Sequence, residues 1–157
     1  MTIATKQKTD EISSIISHHL HLEGPLLPIL HALQDAFGYI PASAESPITD
    51  ALNITKAELH GVLSFYHDFT RRPVGAHVIK ICQAEACQAV GAKALAQSAL
   101  ERLGKGWNET TDNGAVTIAP VYCLGMCACG PAVIVDDTVI GRMNETRLHK
   151  LLEEAGA

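Results

Sequence analysis

Basic residues are scarce in this chain. Lys and Arg number 12 against 17 Asp and Glu, a formal charge of −5 over 157 residues. A surface of that sign has no general affinity for nucleic acid or for an anionic membrane. The N-terminus lacks the apolar stretch of a secretory signal, so a reducing, cytoplasmic location is expected. Neither G-x-G-x-x-G nor a P-loop occurs, which leaves no nucleotide-binding fingerprint. Charged residues of both signs make up only 18%, whereas apolar ones reach 47%. That balance excludes a disordered chain and suits one ordinary domain or two small ones. Only Met1 to Lys8 reads as a loose tail.

Between Asn113 and Val135 there is no Asp, Glu, Lys or Arg at all. The run is long enough to span a membrane, but Gly114, Pro120, Gly125, Gly130 and Pro131 interrupt it. Strand, loop and strand in a buried core is the better account. Cysteine is also sparse and odd in number, with five. Without an export signal these are poor candidates for a disulfide framework, so metal or redox chemistry is their leading use. Three of them, Cys123, Cys127 and Cys129, are crowded into seven positions.

The first half carries helical periodicity and no strand pattern. Ile12, Ile15, Ile16, His19 and Leu20 mark one face of a helix starting at Thr9, with Asp10 and Glu11 in its first turn. A second helix starts at Pro25, with Leu26, Ile29, Leu30, Leu33 and Phe37 inward, and stops at Gly38. Ser46 and Pro47 form a cap and first-turn pair for a short helix bearing Ile48, Ala51 and Leu52. Thr55 and Glu58 form a capping box, stapled by Ile54 and Leu59, for a fourth helix through Val62, Leu63 and Tyr66. A helix-turn-helix is excluded by chemistry. Its recognition helix would need Arg, Lys, Asn or Gln, and this one offers a single Lys. Residues 1–75 hold five basic and eight acidic side chains. A bundle that packs on a partner fits better.

After the linker Arg71 to Gly75 the pattern changes. His77 to Ile81 is a β-branched strand ending at Cys82. A helix from Ala89 to Leu103 follows, with Leu95, Ala99 and Leu103 on one stripe and Gly104 as its stop. Ala115 to Val121, Pro131 to Val135 and Thr138 to Gly141 are strands, with Asp136-Asp137 a turn. Asn144 caps a last helix bearing Leu148, Leu151, Leu152 and Ala155. The order βαβββα, with a right-handed crossover, is thioredoxin-like in outline. The fold class is therefore α+β. A helical bundle of about four helices (1–75) precedes a thioredoxin-like α/β domain (76–157). Loops after the first two strands would meet in space and carry every cysteine.

The pattern is Cys82-x4-Cys87 and Cys123-x3-Cys127, with Cys129 as a fifth. Four thiolates suit zinc or an iron–sulfur cluster. Structural zinc favours C-x2-C knuckles, and neither pair is one. A [2Fe-2S] rhombus is wider than one ion and takes two more widely spaced pairs. Gly125, Ala128 and Gly130 leave room for backbone N–H groups to reach cluster sulfides. C-x4-C also lacks the C-x-x-C spacing of dithiol redox catalysis. Spacing favours iron–sulfur while leaving zinc and dithiol chemistry open.

The stretches "LLPILHALQDAFGYIP", "HGVLSFYHDF", "CQAEACQAVGA" and "YCLGMCACGPAVIVDD" resemble the 24-kDa-type, thioredoxin-like [2Fe-2S] subunit family. That family occurs in respiratory complex I, NAD-reducing hydrogenases and NAD-dependent formate dehydrogenases, and the resemblance covers nearly the whole chain. It implies one [2Fe-2S] cluster on Cys82, Cys87, Cys123 and Cys127, with Cys129 unligated. It also implies a non-catalytic electron carrier beside a flavoprotein subunit that holds FMN and NAD. The wording of "CQAEACQAVGA" and "CACGPA", and the histidine of "SFYHDF", resemble the gamma subunit of a molybdenum, NAD-dependent formate dehydrogenase. There a molybdenum and iron–sulfur subunit would oxidise formate to CO2 while NAD is reduced. The equivalent subunit of complex I or of an NAD-reducing hydrogenase is the alternative, and a zinc-stabilised interaction module is the rival from another class. His18 and His21 could share a helix face, but a solvated face accounts for them, as packing does for His60 and His67. Trp107 is expected to anchor its loop.

Overall fold

The computed structural model describes residues 3–157. The chain folds as two compact units divided between Pro73 and Val74. Among the described residues, no helix is long and apolar enough to cross a membrane.

The first unit is helical. Helix α1 runs Ile3–His19, α2 Leu26–Phe37, α3 Glu45–Leu52 and α4 Lys56–Phe65, with a 3-10 turn at Ala42–Ala44. The helix thus begins well before Thr9. Met1 and Thr2 lie outside the described residues, but the rest of the expected tail is helical, and Asp10 and Glu11 fall in mid-helix. Lys6, Gln7 and Lys8 are good helix formers. Lys8 also anchors the segment: its Nζ donates to the Tyr39 hydroxyl at 2.9 Å and lies 5.1 Å from the Phe37 ring centre. Leu20 lies beyond the last residue of α1 and is exposed.

Helix α2 ends as its sequence dictates. Gly38 takes a left-handed conformation (φ 75°) and donates to Gln34 O. The Gln34 side chain then holds the returning segment, donating to Asp68 O at 2.6 Å and accepting from Thr70 N–H at 2.8 Å. Helix α3 starts one residue before Ser46, because the 3-10 turn runs straight into it and Ala44 occupies the cap position. Ala51 faces solvent rather than the core. The capping box at α4 is complete, with Glu58 N–H bonded to Thr55 Oγ1 and the Glu58 carboxylate accepting from Thr55 N–H. Ile12, Ile29, Leu30, Leu33, Ile40 and Ile48 are fully buried together between these helices.

The second unit is a five-stranded sheet with helices on one face. Strands β1 (His77–Cys82), β2 (Glu109–Thr110), β3 (Val116–Val121), β4 (Val133–Val135) and β5 (Thr138–Ile140) lie in the order β2-β3-β1-β4-β5. Only β1 and β3 are parallel; the other neighbours are antiparallel. Ile79, Ile81, Val116, Ile118 and Val133 meet Leu95 and Ala99 of α6 (Ala92–Leu103) and Leu148 and Leu152 of α7 (Glu145–Glu154). Trp107 is half-buried against this core and so anchors its loop.

Two features depart from the expected βαβββα string. The helix expected from Ala89 starts only at Ala92, after the left-handed Gly91 (φ 97°), and a further short helix, α5 (Glu85–Ala89), precedes it where a loop was expected. A two-residue edge strand, β2, adds to β3; it is too short and too polar to leave a period. Gly75 belongs to the sheet unit, because its N–H donates to Thr117 Oγ1 at 2.6 Å and a Cβ there would strike the Val116 backbone at 2.9 Å.

The β4–β5 hairpin is tied to the start of β1 by one carboxylate. Asp136, at φ 52°, accepts from Val78 N–H at 2.8 Å and from His77 Nδ1 at 2.9 Å. Burial pushes the Asp136 carboxyl up, but the bonds from His77 and Val78 outweigh it and hold its pKa below the usual 3.8. A depressed carboxylate contributes stability above its unfolded pKa and loses it as pH falls through the folded value. Asp136→Asn keeps a side chain that tolerates the left-handed backbone, removes the charge and turns one of the two acceptor oxygens into a donor. Urea denaturation should show the variant weaker by about 0.5 kcal/mol at pH 7, a screened surface pair, with the gap closing below about pH 3.8.

Candidate metal centre

The register of β1 on β3 builds the site. Cys82 sits opposite Val121 at the C-terminal ends of two parallel neighbours, so the chains leaving both strands emerge side by side. The first turns at once into α5, which carries Cys87. The second runs through Tyr122 to Gly130 and holds a 3-10 turn at Cys127–Cys129. Gln88 Nε2 donates to Gln83 O at 2.7 Å and closes the first loop on itself.

All five cysteines are free thiols, and they are not equivalent. Cys82 and Cys87 are 1% and 2% exposed and share a thiol hydrogen bond, whereas Cys123 and Cys127 face solvent. Cys123 Sγ and Cys127 Sγ are 3.9 Å apart. Two sulfurs on one tetrahedral metal at about 2.3 Å would stand about 3.8 Å apart, so this pair fits a single iron nearly as it stands. Cys123 has φ 84°, a conformation few non-glycine residues adopt. That turn aims the N–H groups of Cys123 and Leu124 at the Cys82 sulfur.

The thiols feel one another across the two loops. Burial pushes the Cys82 thiol up, but hydrogen bonds from Ala84 N–H, the Cys87 thiol, Cys123 N–H and Leu124 N–H overcome it and lower its pKa. Burial raises Cys87, against a bond from Ala132 N–H, and the charges of Cys82 and Cys127 raise it further. Cys127 is raised chiefly by its bond to Cys123 and then by the Cys123 charge, with Cys82 also contributing. Several thiolates held this close repel, and a bound cation relieves that repulsion. The thiols come as two pairs, Cys82 with Cys87 and Cys123 with Cys127. The donor set fits a [2Fe-2S] cluster.

Cys129 is turned elsewhere. Its N–H donates to Met126 O at 2.9 Å, its carbonyl accepts from Arg142 N–H at 2.6 Å, and a Cβ on Gly141 would lie 2.9 Å from its own. The main-chain donors at Ala84, Leu124 and Ala132 were not legible, because a backbone N–H leaves no mark in residue type. His18 and His21 have ring centres 6.3 Å apart around the end of α1. His60 and His67 are both exposed rather than packed, His67 lying past the end of α4.

A sheet with a parallel central pair, and two cysteine-bearing loops at its carboxyl edge, defines a thiol-ligand domain. The model of the thioredoxin-like [2Fe-2S] ferredoxin family matches residues 12–156. The chain belongs to that family. A subunit of the NADH-quinone oxidoreductase of Pseudomonas aeruginosa is 35% identical over 146 residues, 91% of this chain and 88% of the relative. The HndA subunit of the NADP-reducing hydrogenase of Solidesulfovibrio fructosivorans is 32% identical over 144 residues, 92% and 84% of the two chains. Among solved structures, an NAD+-reducing [NiFe]-hydrogenase in the air-oxidised state superposes with a TM-score of 0.68 at 21% identity. That match covers 81% of this chain and 22% of the hydrogenase chain, and it supports the fold.

Proposed function

We propose that this chain is an electron-transfer subunit holding one [2Fe-2S] cluster on Cys82, Cys87, Cys123 and Cys127. The observation that carries the reading is the meeting of two thiol pairs at the ends of two parallel strands, one pair already 3.9 Å apart. When bound, such a cluster supplies reversible one-electron transfer. The chain's own part is to hold and insulate. Main-chain N–H groups at Ala84, Cys123, Leu124 and Ala132 offset negative charge on sulfur, and the exposed pair brings one side of the site to the surface. Cys129 serves as a small apolar side chain packed beside Gly141.

In this reading the partner is a flavoprotein subunit with FMN and NAD, and the electrons pass singly between flavin and cluster. The resemblance of "CQAEACQAVGA", "CACGPA" and "SFYHDF" favours the gamma subunit of a cytoplasmic, molybdenum, NAD-dependent formate dehydrogenase, with molybdenum cofactor on a further subunit. The second reading is the equivalent subunit of complex I or of a hydrogenase. The names of the relatives favour that reading. Purification of the complex from its native cells separates the two by the partner that comes with it.

Anaerobically prepared protein should contain about two irons and two sulfides per chain and give an EPR signal only after reduction. Stoichiometric zinc in colourless protein would establish the interaction-module alternative instead. Serine at any of Cys82, Cys87, Cys123 or Cys127 should abolish the cluster or alter its spectrum. Cys129→Ser should keep absorbance and EPR shape. Loss of the cluster in Cys129→Ser with retention in Cys127→Ser would overturn the ligand set. The purified chain alone should neither oxidise formate nor oxidise NADH; NADH oxidation should return with the flavoprotein subunit, and formate oxidation only when a molybdenum subunit is added as well.

A further inference from the structure

Gly130 is a glycine for want of space. Its backbone, at φ −66° and ψ 161°, is open to any residue. A Cβ there would lie 2.9 Å from Val90 Cγ2, closer than real Cβ contacts come, and 3.5 Å from Cys87 Sγ. The space a side chain at Gly130 would fill is thus taken by a valine methyl, with the thiol in ordinary contact distance of it. Val90 is 53% exposed, while Cys87 nearby is 2% exposed. Its backbone is held by a bond from its N–H to Cys87 O at 3.2 Å and by the left-handed turn at Gly91. Val90 also lines an open hollow of about 270 Å³, together with Pro131, Leu95, Met143 and Asn144 among others, and Cys87 is not part of that lining. Such a space holds several waters. Val90 is thus exposed to that water while one of its methyls and the Cys87 sulfur flank the same point beside Gly130.

We infer that Val90 is a solvent shield over the Cys87 sulfur, seated there by the absence of a side chain at Gly130, and that it lowers the reduction potential of the bound cluster. The second clause rests on the cluster reading above; the shield itself does not. Reduction adds negative charge, which nearby water stabilises, so excluding water favours the oxidised state. Val90 touches no reacting atom and acts through the cysteine, which makes it a positioning residue.

The test uses the full chain with Val90→Ser, Val90→Ala, Gly130→Ala and the double variant Gly130→Ala with Val90→Ala. In apo protein, alkylation of Cys87 followed by mass spectrometry should run several-fold faster in Val90→Ser and in Gly130→Ala, where the new methyl pushes Val90 aside. In loaded protein the same two variants should keep the visible spectrum while the midpoint in an EPR-monitored redox titration moves up. The double variant removes both Val90 methyls and returns one at Gly130, on the other side of the contact, so rate and midpoint should fall between those of Val90→Ala and the unsubstituted chain. Alkylation at the unsubstituted rate in Val90→Ser, or a double variant equal to the sum of its singles, would overturn the shield. An unsubstituted chain that takes up no iron would count against the cluster reading alone, since the apo alkylation rates still decide the shield.

Discussion

The pairing of β1 with β3 is the constraint on which the site depends. A parallel ladder sets two strand ends at the same edge, so Cys82 and the chain beyond Val121 leave the sheet side by side. Thirty-five residues separate Cys87 from Cys123 in sequence, and bringing such distant groups together costs loop-closure entropy. Here the cost is met by burying Ile79, Ile81, Val116 and Ile118 under α6 and α7. The thiols are delivered to one place by a hydrophobic core that contains none of them.

Within the site the two pairs live in different media. Cys82 and Cys87 are sealed against Ala92 and Ala132, while Cys123 and Cys127 lie on an exposed loop. The same backbone that exposes the second pair serves the first, because the turn at Cys123 sends its amide and that of Leu124 towards Cys82. The loops are interlocked: neither pair keeps its surroundings without the other.

Much of this was readable where a local rule has a single solution. Gly38 ends α2, Thr55 and Glu58 open α4, and Asn144 opens α7, each with the hydrogen bonds its residue type implies. The strand leading into Cys82 followed from β-branching, and the meeting of the two strand ends from the βαβ order. What failed did so for tertiary or borderline reasons. The segment around Lys8 is held by its bond to Tyr39, a contact 31 residues distant that local sequence does not announce. Ser46 lost its capping role to a preceding 3-10 turn, and the helix expected from Ala89 starts only at Ala92, after the left-handed Gly91. The tight fit of Gly130 against Val90 is invisible in sequence, since its dihedrals are ordinary and only its neighbours make glycine necessary.

The donors that surround the buried sulfurs are main-chain amides, and that has a consequence for how the protein can drift. Ala84, Leu124 and Ala132 present the same N–H group whatever side chain they bear. Exchange of those residues changes volume and packing but leaves the hydrogen bonds to sulfur in place, with proline the one replacement that deletes a donor. The immediate electrostatic surroundings of the thiols are in this way decoupled from the identity of the residues that supply them. Sequences can diverge widely around such a centre while the field at its sulfurs stays nearly fixed.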